Sequence, residues 1–277
     1  MPFRSTSDPY AVLVSEVMAQ QTQIARVGEA WERFVAAFPS FERLAAASPA
    51  DVLRAWRGLG YNRRALNLWR AARAVVEEHG GELPRDVAAL ERLPGIGPYT
   101  ARAVAAIAFG QSVGAVDTNV RRVLTRVVTG SSEGTPPAEV QGLADAAVPP
   151  DRPADWTHAV MDVGATFCRP TRPACEPCPA RAWCRYAAAV GRGTVEPAAR
   201  RRSGTEAAPA FRTSSRWLRG RILDRLRDVA PPGWDRFDGA IGEHGDEVVL
   251  GALVALAAEG LAELDPADPR LARLPER

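Results

Sequence analysis

Lysine is absent from this 277-residue chain, so all 35 of its basic residues are arginine. No side-chain amine is therefore available to form a Schiff base with a sugar aldehyde, and the α-amino group is the one amine left. Long hydrophobic runs are missing as well: nothing approaches the ~18 consecutive apolar residues that a membrane helix needs. The opening Met-Pro-Phe-Arg has no apolar secretory core, which predicts a cytoplasmic protein. Cysteine is scarce, with four residues in all. In a reducing compartment these are expected to serve a metal or catalytic role rather than to form disulfides. Sustained alternation of apolar and polar residues is also lacking, which argues against a sheet-based fold. Charge is nearly balanced at +2. Such a value neither requires nor forbids nucleic acid, because what matters is whether the arginines gather on one face.

What the sequence does have is helical periodicity. Apolar residues recur near every 3.6 positions over 9–20, 24–37, 41–47, 50–56, 63–78, 86–92, 99–109, 118–128, 138–147 and 156–167. Asp8-Pro9 and Ser48-Pro49 are helix starts, each a capping side chain followed by proline at the first helical position. Residues 130–137 and 148–153 read as loops. The pattern predicts an all-α domain over 1–190. Residues 191–213, rich in Gly, Pro, Ala and Ser and carrying Arg200-Arg201-Arg202, read as a flexible basic linker. Beyond them, 214–277 read as a small helical module with helices at 215–228, 235–241 and 246–260. A short extended wing over 261–274 would make it winged-helix-like, and a plain packing appendage fits the same pattern.

The cysteines, Cys168, Cys175, Cys178 and Cys184, are spaced C-x6-C-x2-C-x5-C. Prolines at 170, 173, 177 and 179 keep the segment out of helix and let the thiolates converge. Four thiolates this close in sequence read as a metal site, either a zinc tetrahedron or a [4Fe–4S] cube. A second motif, Leu93-Pro-Gly-Ile-Gly-Pro-Tyr-Thr-Ala101, separates two helical segments. Gly95 and Gly97 are expected to open backbone geometry closed to other residues, and to leave amide N–H groups bare at the start of the next helix. A helix-hairpin-helix of this kind offers an anion site without sequence preference, which suits a DNA phosphate.

These marks stand beside Ser15-Glu-Val-Met-Ala-Gln-Gln-Thr-Gln23, Gly58-Leu-Gly-Tyr61, Val116-Asp-Thr-Asn-Val120 and Met161-Asp-Val-Gly164. Together they make residues 2–187 resemble the MutY-type adenine DNA glycosylases of the helix-hairpin-helix, or endonuclease III, superfamily. The resemblance implies two helical subdomains with a cleft, acting as a monomer on double-stranded DNA that carries a mismatch or lesion, with no membrane partner. It also implies a [4Fe–4S] cluster on the four cysteines, since this superfamily uses that spacing for iron. Glu16 would be the acid that protonates the departing base, its proton kept near neutral pH by a mostly apolar pocket. Asp117 would stabilise the oxocarbenium-like sugar, although its place at a helix start also makes it a natural N-cap. Asn119 would be a polar partner near the sugar. Gln21 and Tyr61 would wedge into the stack where the flipped base had been.

Arg4 and His158 would line the base pocket, with packing the ordinary alternative for His158. Arg169, Arg172 and Arg181 are placed to touch phosphates. Residues 214–277 are too short for the Nudix-like module that reads 8-oxoguanine in typical members. Tyr99 stands where strand-cutting relatives carry a nucleophilic lysine. The expected reaction is therefore monofunctional base excision repair at the bacterial nucleoid, releasing adenine opposite 8-oxoguanine or guanine. Removal of thymine, uracil or hypoxanthine opposite guanine is the alternative. Borohydride added during turnover is expected to trap no efficient covalent protein–DNA adduct; efficient trapping would show an amine acting as a lyase nucleophile.

Overall fold

The computed structural model describes residues 2–131, 134–194 and 211–276. After a 3-10 turn at Pro2–Arg4 come α1 (Pro9–Ala19), α2 (Ile24–Ala37), α3 (Phe41–Ala45), α4 (Pro49–Ala55), α5 (Arg63–His79), α6 (Val87–Arg92) and α7 (Pro98–Phe109). Then follow α8 (Thr118–Leu124), α9 (Pro137–Ala147), α10 (Pro153–Thr166) and α11 (Arg185–Gly191). Local chemistry sets these starts. Asp8, Ser48, Asp86 and Asp117 cap α1, α4, α6 and α8 through their side chains. Proline holds the first position of α1, α4, α7, α9 and α10, where its missing N–H costs nothing.

Helices α1–α7 close around a core that includes Leu13, Met18, Phe34, Trp56, Leu66 and Leu90. A smaller cluster of Val120, Val123, Leu124, Val140, Ala144 and Val160 joins α8, α9 and α10. Helix α10 packs on both α7 and α8, so the two helical bodies meet there. Two boundaries differ from the periodicity by three residues or more. Helix α10 begins at Pro153 rather than Trp156, because proline initiates helix without adding to the apolar stripe. The expected helix 118–128 narrows to α8 followed by a π-helical turn, Thr125–Thr129, ending at Gly130 with φ +77°. That turn carries Arg126, which reaches out to the carbonyls of Arg169 and Pro170 at 2.7 and 3.0 Å.

Of the proposed linker, 195–210 lie outside the described residues, and Phe211–Thr213 form a 3-10 turn. The module that follows has α12 (Ser215–Asp228) and α13 (Asp246–Ala258), close to expectation. The helix expected over 235–241 is not formed, and the module is not purely helical. Instead β1 (Asp235–Arg236), β2 (Glu263–Leu264) and β3 (Leu271–Arg273) make an antiparallel sheet in the order β1-β3-β2. Trp234, Phe237 and Ile241 have helical spacing, but the Phe237 N–H donates to the Arg270 carbonyl at 2.9 Å and Gly239 turns the chain at φ +87°. Tertiary pairing overrides local pattern here. The β2–β3 pair falls within the expected wing.

Leu218, Ile222, Leu226, Phe237 and Leu253 of the module belong to the same core as α1–α7. Arg227 strengthens the junction, donating to the Leu53 carbonyl at 2.9 Å and to Asn62 Oδ1 at 2.6 Å. Among the described residues no helix is long and apolar enough to cross a membrane.

Gly164 shows how tightly α10 meets α8. A Cβ placed there would stand 2.7 Å from the Asn119 Cβ. Gly164→Ala is therefore expected to destabilise the fold by about 1–3 kcal/mol, the usual cost of overpacking. Thermal unfolding of the variant measures it, and an unchanged Tm would refute the close packing.

Candidate functional site

Glu16 lies on α1 between Ser15 and Val17, both buried, and it faces a cavity of about 60 Å3. Tyr99 from α7, His158 and Met161 from α10, and Phe3 and Arg4 from the N-terminal turn line the same cavity. Tyr99 Oη donates to Glu16 Oε2 at 3.2 Å and sits 3.6 Å from Met161 Sδ. Burial pushes Glu16 up to about 7, and the charge of Asp117 adds to the rise; Tyr99 and Arg4 pull it partly back. Near neutral pH this carboxyl is thus about half protonated. Burial, followed by the charges of Glu16 and Asp117, drives the Tyr99 phenol far above its ordinary range, so it stays a neutral donor. Arg4 Nη1 pairs with Asp162 Oδ2 at 2.7 Å, tying the N-terminal turn to α10. Burial and then Arg4 hold His158 below the usual imidazole range, so it faces the cavity uncharged.

Asp117 is an N-cap, as its position suggested: Oδ1 accepts from the Val120 N–H at 2.7 Å. Its second oxygen accepts from Asn119 Nδ2 at 3.1 Å. Asn119 Oδ1 in turn accepts from Arg122 Nη2 at 2.7 Å, and Arg122 Nε donates to the Cys168 carbonyl at 2.5 Å. A continuous polar chain therefore joins Asp117 to the cysteine loop.

Cys168, Cys175, Cys178 and Cys184 line one pocket, floored by Val123, Val127, Phe167 and Tyr186. Arg126, 2% exposed, places Nη1 3.5 Å from Cys168 Sγ and stacks over Tyr186, while its buried Nε has no hydrogen-bond partner. Cys184 Sγ caps α11, accepting from the Ala187 N–H at 3.4 Å. Among the described residues no group of three or more His, Cys, Asp or Glu meets the spacing that would hold a metal ion. The thiols share a pocket without closing on one point. Burial and the neighbouring thiols push Cys175 and Cys178 up, a cost that a cationic centre would offset. Of the nearby arginines, Arg181 pairs with Glu176 at 2.8 Å.

Gln21 and Tyr61 stand apart from that cavity, in two turns that flank a groove. Both have left-handed backbone, φ +53° and +45°, which non-glycine residues adopt only when the surroundings impose it. Arg64 imposes it. Its guanidinium, on a residue 9% exposed, donates to the carbonyls of Val17 and Met18 at 2.9 Å each, and to that of Gln20. On the other side it donates to the Leu59 and Gly60 carbonyls at 3.2 and 3.1 Å. The groove, about 870 Å3, continues onto α12 of the module.

Gly95 behaves as expected: φ is +78°, and a Cβ would stand 2.6 Å from that of Asn67. Gly97 is a correction. Its φ of −96° is open to any residue, and a Cβ would meet nothing. The bare amides do hold: among the described residues the N–H groups of Gly95, Gly97, Tyr99 and Thr100 have no protein acceptor.

Sequence reasoning missed Arg64, Arg122 and Arg126. Arg64 had left a signal, since it falls in register with Leu68, Ala71 and Val75 on the buried stripe of α5. Nothing local marks the other two.

Residues 14–150 match the model of the HhH-GPD superfamily of base excision DNA repair proteins. Adenine DNA glycosylase of Mycolicibacterium smegmatis is 43% identical over 225 residues, 80% of this chain and 73% of that protein. The human adenine DNA glycosylase is 48% identical over 183 residues, 64% of this chain but 33% of its own length. A solved thermostable thymine-DNA glycosylase superposes with a TM-score of 0.64 at 32% identity, covering 68% of this chain and 88% of that one. With the hairpin, the buried acid and the cysteine loop all in place, the chain belongs to the HhH-GPD superfamily of base excision DNA repair proteins.

Proposed function

We propose that this chain is a monofunctional DNA glycosylase that hydrolyses the N-glycosidic bond of adenine opposite 8-oxoguanine or guanine. The observation that carries the reading is Glu16, a carboxyl poised near neutrality inside a cavity beside a neutral phenol. The bare amides of the hairpin grip a backbone phosphate, and Gln21 and Tyr61 fill the stack while the target base turns into the cleft. Glu16 gives its proton to a ring nitrogen of the base. The C1′–N bond then breaks with its electron pair leaving on the base, and a cationic sugar remains. Asp117 stabilises that cation, and water adds to C1′ and loses a proton, leaving an abasic site. Tyr99 keeps Glu16 oriented and offers no amine to the sugar. The identity of relatives named adenine DNA glycosylases supports adenine as the base.

The four cysteines are the residues that would hold a [4Fe–4S] cluster. Such a cluster would take one thiolate on each of its four irons, which suits sulfurs spread around a pocket better than the ~2.3 Å bonds to a single zinc ion. When bound, it supplies a covalent cross-link that orders residues 168–184. Arg126 and Arg122 brace the same segment from α8 and the π turn.

Excision kinetics and metal analysis test this reading. Single-turnover excision from duplexes carrying A, T, U or hypoxanthine opposite G or 8-oxoguanine should be fastest for A; preferential release of thymine or uracil would overturn it. Glu16→Gln should lower the excision rate by about 10²–10⁴-fold. Because the acting form is protonated and the pKa is about 7, the wild-type rate should fall as pH rises above neutrality. A rate that is flat there removes Glu16 from the role of acid. Purified protein should carry about four irons, and Cys175→Ser should lose both iron and DNA affinity; zinc in its place would overturn the cluster.

A further inference from the structure

Helix α13 turns an apolar face to solvent. Its inner side, Val249, Leu253 and Leu256, is buried in the core of the module. Its outer side carries Val248, Gly251, Val254, Ala255 and Ala258, all exposed, with Val248 and Val254 54% and 50% open. Spacings of three and four residues put these on one stripe. The outward face of a surface helix is ordinarily polar. On α12 it is, with Arg216, Arg221 and Arg225 exposed. A helix that reads DNA carries donors toward the groove, and the α13 stripe has none beyond its backbone.

Charge appears only where the stripe ends, and with opposite signs. Glu247 begins it, and Glu243 lies exposed in the turn before the helix; among the described residues neither carboxylate has a partner. At the other end Arg70 of α5 stands beside Gly260, where a Cβ would come 3.5 Å from its Nη2. Arg70 is exposed, approaches only Asn67 Oδ1, at 3.5 Å, and has no carboxylate partner among the described residues. We propose that the α13 stripe is a homodimer contact, covered by α13 of a second copy lying antiparallel across it. A two-fold contact needs a patch that complements itself. Here Glu247 lies opposite Arg70 of the partner subunit, and the exchange repeats across the axis. The axis falls beside Val254, and Gly251 and Ala255 flank it, small enough to let the two backbones approach. A parallel pair would instead set acid on acid. None of the stripe residues lines the groove beside Gln21 and Tyr61, so pairing leaves that groove open. The monomer implied by the family resemblance is thereby replaced by a reversible dimer.

Sedimentation velocity of the full-length protein without DNA, over roughly 1–100 µM, reads the association expected of one helix pair. Wild type should pass from monomer to dimer across that range. Val254→Glu should stay monomeric with its Tm near wild type, because the side chain is exposed. Arg70→Glu sets like charges together at both ends and should weaken the dimer about tenfold. Adding Glu247→Arg to it reverses both signs and should restore most of the association. A wild type monomeric throughout, a dimer that survives Val254→Glu, or no rescue by the double exchange would overturn the proposal. So would a Val254→Glu protein that loses DNA affinity while its state of association is unchanged, since the stripe would then belong to DNA.

Discussion

One guanidinium buried among carbonyl oxygens sets the geometry of the active end of this molecule. Among the described residues Arg64 has no carboxylate partner; it is held by the carbonyls of Val17, Met18 and Gln20 on one side and of Leu59 and Gly60 on the other. The first three lie at the C-terminal end of α1, where orphan carbonyls and the negative end of the helix dipole favour a cation. Burial lowers its pKa to about 10, still far enough above neutrality to keep the charge. Glu16 lies within the last turn of that helix, and Gln21 and Tyr61 lie in the two turns it ties together. Glu16, Gln21, Tyr61 and the left-handed backbone of the last two therefore share one anchor. Lysine would be a poor substitute, because a compact ammonium presents three donors and cannot span two turns as a planar fork does.

The same logic recurs wherever this lysine-free chain buries a charge. Arg122 joins Asn119, Gly164 and Cys168, Arg126 joins the π turn to the cysteine loop, and Arg227 joins α12 to Leu53 and Asn62. Each holds two or more carbonyls or side-chain oxygens presented by segments other than its own turn. Replacing any of them with an apolar residue would strand those acceptors, and each stranded acceptor costs about 1–3 kcal/mol. Arginine is thus the structural cross-link of the protein as well as the open charge on its groove. The bracing arginines are buried with oxygens around them, while among the described residues Arg26, Arg63 and Arg216 line the groove with no acid partner.

Legibility in the sequence followed the range of the interactions. Helices of the main body were readable because their apolar stripes, N-caps and first-turn prolines are local, and α2 and α12 fall where the spacing put them. Glu16, the cysteines and Gly95 were readable because their motifs are contiguous. The segment 235–241 was misread because Phe237 is claimed by Arg270, thirty-three residues away in the chain. Gly97 was over-read by analogy with Gly95, although only Gly95 needs a positive φ. The contacts of Arg122 and Arg126 were invisible, since each depends on what a distant segment presents. Arg64 lies between these cases, with a charged residue on a buried stripe as its trace.

The two carboxylates divide their work through their neighbours. Around Glu16 the donors are few: a phenol at 3.2 Å and a wall of Val12, Ile107 and Met161, with Arg4 already paired to Asp162. Such surroundings hydrate a carboxylate poorly and favour the protonated acid. Around Asp117 the donors are N–H groups, one from the first turn of α8 and one from Asn119. The negative charge of Asp117 also helps keep the proton on Glu16. Asn119 cannot drift from this arrangement, because Arg122 fixes its far end and Gly164 lets α10 close over it. An acid and an anion can then coexist in one cleft at neutral pH, which is the condition for breaking a glycosidic bond without a nucleophilic amine.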